Sequence, residues 1–158
     1  VDKKTGLPNR EKLNIYIGEM AGKVLPEAFT CFTLNLDNLS ELTKRFGYTV
    51  GDGVLKDFAG LVQLMGDTEG MRGYNGIGRF VVFFEECSSK KAAAMIRILD
   101  NQVEEYNSLN PEYPIRYTAA WATTEETDTY EIRELLRLSQ KKWKQMEKEK
   151  KDKTEEET

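Results

Sequence analysis

Two short apolar runs near the middle of the chain are separated by Asn75-Gly76, and this dipeptide restricts the fold more than any other feature. Asn-Gly is typical of the tight turn between antiparallel strands, because both central residues of a type I′ turn need a positive φ. We therefore predict a hairpin with strands over Met71–Tyr74 and Arg79–Glu86. The run Phe80–Phe84 has the length and composition of one buried strand.

Apolar residues recur at helical spacing on both sides of this hairpin, and start or stop residues flank most of these segments. The predicted elements are, in order, a helix capped by Asn9, a strand over Phe29–Leu36, helices over Leu39–Phe46 and Val50–Leu64, the hairpin, a helix over Lys90–Tyr106, a strand over Ile115–Ala122 and a last helix from Thr127 or Thr129. The helices must cover a mostly antiparallel sheet, so the predicted class is α+β and not doubly wound α/β. We expect one domain over 1–150 and a flexible charged tail over 151–158.

The charge balance argues against a nucleic-acid partner. The 158 residues carry 23 Lys and Arg against 27 Asp and Glu, a net charge of −4, whereas nucleic-acid-binding domains usually carry a basic excess.

No apolar stretch approaches the ~20 residues that cross a bilayer, so we expect no membrane contact by this domain and a cytoplasmic location. Cys31 and Cys87 lie outside any Cys-x-x-Cys pair, and the chain has no histidine. A disulfide framework or zinc site is therefore not expected, and a Ser-His or Cys-His triad is excluded.

Three further segments have a characteristic order and spacing. The chain opens with Asp2–Arg10 in the sequence DKKTGLPNR, continues with Leu34–Leu39 in the sequence LNLDNL, and then has Gly47–Asp52 in the sequence GYTVGD. Together with the hairpin, they resemble the GGDEF domain, the diguanylate cyclase family of bacterial cyclic di-GMP signalling. The resemblance extends from Asp2 to about Leu138. It implies the ferredoxin-like palm of nucleotidyl cyclases, with helices packed around a central sheet.

The resemblance also implies a chemistry based on metal ions. In this family two GTP molecules, held by two facing subunits, condense to cyclic di-GMP, and two Mg²⁺ ions activate the hydroxyl and polarise the phosphates. Mg²⁺ prefers hard oxygen ligands. The family supplies them as carboxylates from the first acid of an Asp-x-Asp motif after the first strand and from the third and fourth positions of the hairpin signature.

In this chain the family's metal positions hold other residues. The signature reads Gly76-Ile77-Gly78-Arg79-Phe80, and the first acid of the strand motif is replaced by Asn35, with Asp37 as the second acid. Two unit charges about 4 Å apart interact by ~4 kcal/mol at an effective dielectric constant near 20, so exchanging a carboxylate for Arg79 beside a divalent ion changes the interaction by more than ~10 kcal/mol before screening. We therefore expect no catalytic residue, no metal site at Asn35, Gly78 and Arg79, and no cofactor.

The family's nucleotide site is partly retained. Its guanine-binding Asn and Asp correspond to Thr43 and Asp52, and Asp52 is equally explained as an acid favoured at a helix N-terminus. The Arg79 guanidinium could clamp a phosphate in place of a metal ion. The candidate nucleotide-binding residues are thus Thr43, Asp52, Asp37 and Arg79. The family's C-terminal phosphate grip, Ala-Lys followed by Gly-Arg-Asn, is missing, and Met146-Glu147-Lys148 stands there instead.

We interpret the chain as a catalytically inactive, degenerate GGDEF-like domain for signal transduction. Its expected partners are GTP, sensor or output domains of a longer protein, or a second copy in a homodimer. The alternative is an active diguanylate cyclase with rearranged ligands, in which Asp37 acts with Glu85 or Glu86. A domain that serves only dimerisation, without any ligand, is a third hypothesis.

Overall fold

An antiparallel sheet forms the centre of the fold. The computed structural model describes residues 1–66 and 69–157 of the chain. In these residues the strands are β1 (Thr30–Leu36), β2 (Gly70–Gly76), β3 (Arg79–Phe84) and β4 (Tyr117–Thr123). They lie in the order β2-β3-β1-β4, and every neighbouring pair is antiparallel. The α+β class that the hairpin pattern predicts is confirmed.

Helices cover both faces of this sheet. They are α1 (Arg10–Met20), α2 (Leu39–Phe46), α3 (Tyr48–Gln63), α4 (Ser89–Leu109), α5 (Thr124–Thr127) and α6 (Ile132–Glu157). Successive residues of a strand point to opposite faces, so β1 contributes to two apolar clusters. Phe32 packs in a cluster with Phe58 of α3 and Leu99 of α4. Cys31 packs in the other cluster, with Leu13 of α1 and Leu135 of α6.

The hairpin turn lies two residues beyond its predicted position. Gly76 pairs with Arg79, so Ile77 and Gly78 form the turn, with φ of +55° and +74°. Asn75 is an extra residue in a bulge of β2. The prediction of a turn at Asn75-Gly76 is wrong because Arg10 binds Asn75 within the strand, donating to its carbonyl at 2.5 Å and to its Oδ1 at 3.2 Å.

The opening segment forms a loop that is bound to the hairpin. The Asp2 carboxylate accepts hydrogen bonds from the backbone N–H and the hydroxyl of Thr5, both at 2.8 Å. The Pro8 carbonyl accepts a hydrogen bond from the N–H of Tyr74 at 2.9 Å. Asn9 caps α1, as predicted, by accepting from the N–H of Lys12 at 3.0 Å. The residues before α1 are therefore attached directly to β2.

The last helix differs from its prediction at both ends. Residues Thr124–Thr127 form the short α5, which ends at Asp128 with a φ of +54°, so α6 begins only at Ile132. The helix then continues to Glu157, through most of the segment for which a tail was predicted. An ion pair between Glu147 and Lys151 at 3.2 Å, one helical turn apart, stabilises this part of α6. The flexibility of residues 151–157 stays a prediction, and residue 158 lies outside the described residues.

Replacement of Gly70 by Ala tests the contact between β2 and β3. A Cβ at Gly70 would lie 2.5 Å from the Phe84 ring and 2.7 Å from the Phe83 carbonyl oxygen, so the backbone must move. We predict that Gly70→Ala lowers the free energy of unfolding by about 1–3 kcal/mol. At Gly60 in α3 a Cβ meets no atom within 4 Å, and Gly60→Ala is predicted to raise it by about 0.5–1 kcal/mol. Urea unfolding followed by circular dichroism measures both, and an unchanged Gly70→Ala protein would contradict this strand contact.

Candidate functional site

Three strands bring Asn35, Arg79 and Thr118 into one row. Asn35 of β1 lies opposite Arg79 of β3 on one side and opposite Thr118 of β4 on the other. Opposed residues of antiparallel strands share a face of the sheet, and this row faces α6, whose Trp143 lines a cleft together with Asn35 and Arg79. Asp37 follows β1 directly. The structure thus brings together the positions that the family resemblance singles out on the first strand and the hairpin.

Both oxygens of the Asp37 carboxylate accept hydrogen bonds from this row. The Asn35 amide donates to Oδ1 at 2.9 Å, and the Thr118 hydroxyl donates to Oδ2 at 2.6 Å. The Thr118 side chain is buried, whereas Asp37 is exposed. An amide at position 35 therefore holds the neighbouring acid by a hydrogen bond, where a carboxylate would repel it.

Lys150 of α6 extends this network. Its ammonium group donates to the Thr118 hydroxyl at 2.7 Å and to the Tyr117 carbonyl at 3.0 Å. The same hydroxyl accordingly accepts from Lys150 and donates to Asp37. Sequence reasoning missed Lys150 because it is one lysine in a run of mixed charge, and nothing local distinguishes it from its neighbours.

The hairpin signature divides into structural and exposed positions. Phe80 is fully buried and packs against the rings of Phe58 and Tyr74. The N–H of Gly78 donates to the hydroxyl of Tyr74 at 2.9 Å, and burial raises the pKa of that phenol. Ile77 and Arg79 are exposed. Of the five signature residues, Arg79 alone therefore presents a charged group to solvent.

Thr43 and Asp52 form a second group, where α2 meets α3. A Cβ at Gly51 would lie 2.3 Å from the Thr43 hydroxyl, so the glycine allows the two helices to approach closely. Asp52 pairs with Lys4 at 3.4 Å, and both side chains are about half exposed. Asp52 is the fifth residue of α3, and the first turn contains no acid. Its alternative explanation as an acid of the first helical turn is therefore wrong, since the macrodipole acts mainly within that turn.

Glu85 and Glu86, the other acids considered for a rearranged metal site, lie at the far end of the sheet. The pairing of β1 with β3 places Arg79 beside Asn35 and Phe84 beside Thr30. The glutamates that follow Phe84 are thus separated from Asp37 by the length of the strand, roughly 20 Å at 3.3 Å per residue. A single chain does not bring these acids together with Asp37. The residues at the family's metal positions do not match the carboxylate set that holds two Mg²⁺ ions.

The sequence as a whole matches a known protein family. The family model described as "Diguanylate cyclase, GGDEF domain" matches residues 1–153. The chain therefore belongs to the GGDEF family, the diguanylate cyclase family of cyclic di-GMP signalling. It matches none of the curated proteins with which it was compared.

Solved structures show the same fold. A diguanylate cyclase/phosphodiesterase from Caldicellulosiruptor saccharolyticus matches with a TM-score of 0.73 at 19% identity, over 94% of this chain and 86% of that one. The active GGEEF domain of a diguanylate cyclase from Vibrio cholerae matches with a TM-score of 0.74 at 19% identity, over 91% and 93%. LapD from Vibrio cholerae, in an S helix-GGDEF-EAL structure, matches with a TM-score of 0.65 at 13% identity, over 78% of this chain and 28% of that one.

Within residues 1–66 and 69–157, each helix is too short or too polar to cross a bilayer.

Replacement of Thr118 by Val tests the link between α6 and Asp37. Thr118→Val removes the hydroxyl that bonds both Lys150 and Asp37 but nearly preserves the shape of the side chain. We predict that it lowers the free energy of unfolding by about 1–2 kcal/mol and speeds amide hydrogen exchange in α6 around Lys150. Thr118→Ser keeps the hydroxyl and is the matched control, with exchange in α6 as in the parent. Equal exchange in the parent and the Val variant would contradict an anchoring role of Lys150.

Proposed function

We propose that this GGDEF domain is a regulatory module of cyclic di-GMP signalling that does not synthesise cyclic di-GMP. The observation that supports this best is the state of Asp37. It is the one acid of the strand motif, and both of its oxygens accept hydrogen bonds from Asn35 and Thr118. A metal ion that used Asp37 would have to compete with these two donors.

The charges around Asp37 support the same proposal. Arg79 lies opposite Asn35 in the sheet. The Lys150 ammonium group donates a hydrogen bond to the hydroxyl of Thr118, which in turn binds Asp37. A divalent ion near Asn35 would be repelled by these two cations, although solvent and salt screen exposed charges. One carboxylate is also too few to organise two Mg²⁺ ions, which require several hard oxygen ligands. We therefore propose that the domain uses no Mg²⁺ cofactor.

We further propose that GTP is a ligand and that its binding needs no metal ion. Asp52 and Thr43 would contact the guanine, and Arg79 would hold a phosphate group in place of the family's metal ions. The ion pair of Asp52 with Lys4 is half exposed, and such pairs contribute little free energy. The Asp52 carboxylate is thus free to exchange Lys4 for the N–H groups of a guanine.

Other domains and a second copy of the chain are the proposed macromolecular partners. The LapD structure contains a GGDEF domain between an S helix and an EAL domain, and this chain covers 28% of it. We propose that this domain likewise works beside sensor or output domains, and that a homodimer is its working assembly. Nucleic acid is not among the proposed partners, because the net charge of −4 gives no basic excess.

Restoring acids at two family positions tests the proposed loss of the metal site. We predict that Asn35→Asp combined with Arg79→Glu binds Mn²⁺ at least ~10-fold more tightly than the parent, because two carboxylates replace an amide and a cation. Isothermal titration calorimetry with Mn²⁺ measures this. Asn101→Asp combined with Arg133→Glu makes the same charge change at exposed positions of α4 and α6 and should leave Mn²⁺ binding unchanged.

The absence of synthesis is tested on the parent protein. Incubated with GTP and Mg²⁺, it should yield no cyclic di-GMP by mass spectrometry, and detectable turnover would overturn the proposal.

Titration with GTP tests the proposed nucleotide site. We predict equal affinity in Mg²⁺ and in EDTA, and a loss of about 10-fold in Arg79→Gln, since a hydrogen bond to a charged group contributes about 1.5–3 kcal/mol. Asp52→Asn should also weaken binding. Arg45→Gln is the matched control, because Arg45 is exposed and pairs with Glu41. An absence of heat in both conditions would eliminate GTP as a ligand and leave protein partners as the proposal.

A further inference from the structure

A cleft between the hairpin and α6 has the composition of an anion site. It has a volume of about 180 Å³, and Arg79 and Lys144 line it together with the amides of Asn35, Asn75 and Gln140. The described residues that line it include these two cations and no carboxylate, although the chain as a whole carries a net charge of −4. The next cleft along α6 contrasts with it, because acids and lysines line that one together.

The cations of this cleft have no partner within the described residues. Neither the Arg79 nor the Lys144 side chain takes part in a hydrogen bond or an ion pair with a described residue. A third cation lies next to the cleft, since Arg10 donates to both the carbonyl and the Oδ1 of Asn75. These two bonds use the acceptors of Asn75 and leave its amide N–H groups as donors. The polar groups of the lining are therefore mainly hydrogen-bond donors and positive charges, set among the apolar side chains of Leu34, Phe80 and Val81.

Trp143 provides an independent indication of a ligand. It lines the cleft, only 8% of the residue is exposed, and its indole N–H is buried without an acceptor in the described part of the chain. A buried donor without an acceptor costs about 1–3 kcal/mol, so native structures rarely keep one. Because this N–H has almost no exposed surface, an acceptor atom of a bound molecule would satisfy it after a small shift of the indole. The same molecule would meet Lys144 one residue further along α6.

From this combination we infer that the cleft binds a small oxyanion of the phosphate class. Arg79 and Lys144 supply the charge, and the amides and the Trp143 indole supply further donors. A volume of about 180 Å³ is close to that of a cavity that holds one benzene molecule, ~150 Å³. It is smaller than the ~300–1,000 Å³ of pockets that enclose larger ligands. A free phosphate fits, or the phosphate group of a monoester whose remainder stays outside. The cleft shares Arg79 with the proposed GTP site, but binding of phosphate is tested without a nucleotide, so the two proposals can fail separately.

Fluorescence of Trp143 tests the site directly. The chain has two tryptophans, so Trp121→Phe leaves Trp143 as the only one. In this background we expect a saturable change of emission on titration with potassium phosphate at constant ionic strength, and none with chloride. Lys144→Gln and Arg79→Gln should each weaken phosphate binding at least ~10-fold, because each removes a charged donor. Lys141→Gln, an exposed lysine of the same helix that does not line the cleft, should bind phosphate like the parent.

A second variant separates the indole N–H from the charges. Trp143→Phe, studied by calorimetry with inorganic phosphate, should bind several-fold more weakly than the parent. Guanosine monophosphate distinguishes the two sources of the anion: tighter binding than phosphate, with the same dependence on Lys144, identifies a monoester, and equal or weaker binding identifies free phosphate. The inference is overturned if phosphate gives no saturable signal beyond that of chloride, or if Lys141→Gln weakens binding as much as Lys144→Gln.

Discussion

The antiparallel pairing of β1 with both of its neighbours determines the site. Because β1 lies between β3 and β4, the register alone places Asn35 between Arg79 and Thr118. A shift of β1 by one residue would turn Asn35 to the other face, where the apolar cluster around Phe32 and Phe58 lies. The buried residues of β1 and β3 exclude that shift. The geometry of the polar row thus follows from the packing of apolar residues several positions away.

Within this frame the chemistry depends on which residues occupy a few positions. The palm places strand ends, a hairpin and a helix terminus next to one another in any member of the fold, but it does not specify their charge. In this chain an amide and a buried hydroxyl hold Asp37, a lysine from α6 binds that hydroxyl, and an arginine lies opposite the amide.

Sequence patterns predicted the elements better than their long-range contacts. The Asn9 cap acts within a few residues, so local spacing identifies the start of α1. The position of the hairpin turn could not be read locally, because Arg10 holds Asn75 from 65 residues away. Lys150 was missed for the same reason, since it reaches a hydroxyl 32 residues earlier in the chain. The polar row of Asn35, Arg79 and Thr118 was predicted in part. The family resemblance pointed to Asn35 and Arg79, together with Asp37, but not to Thr118.

The attachment of the first residues to the hairpin has a mechanical consequence. Pro8 and Arg10 make three hydrogen bonds to Tyr74 and Asn75 of β2, and β2 leads through the turn to Arg79. A pull or twist applied at the start of α1 would therefore be transmitted to the guanidinium at position 79 along a short path at the surface. The path includes Tyr74, which packs against the buried ring of Phe80. A displacement of these first residues would thus act on the hairpin before it acts on β1 or β4.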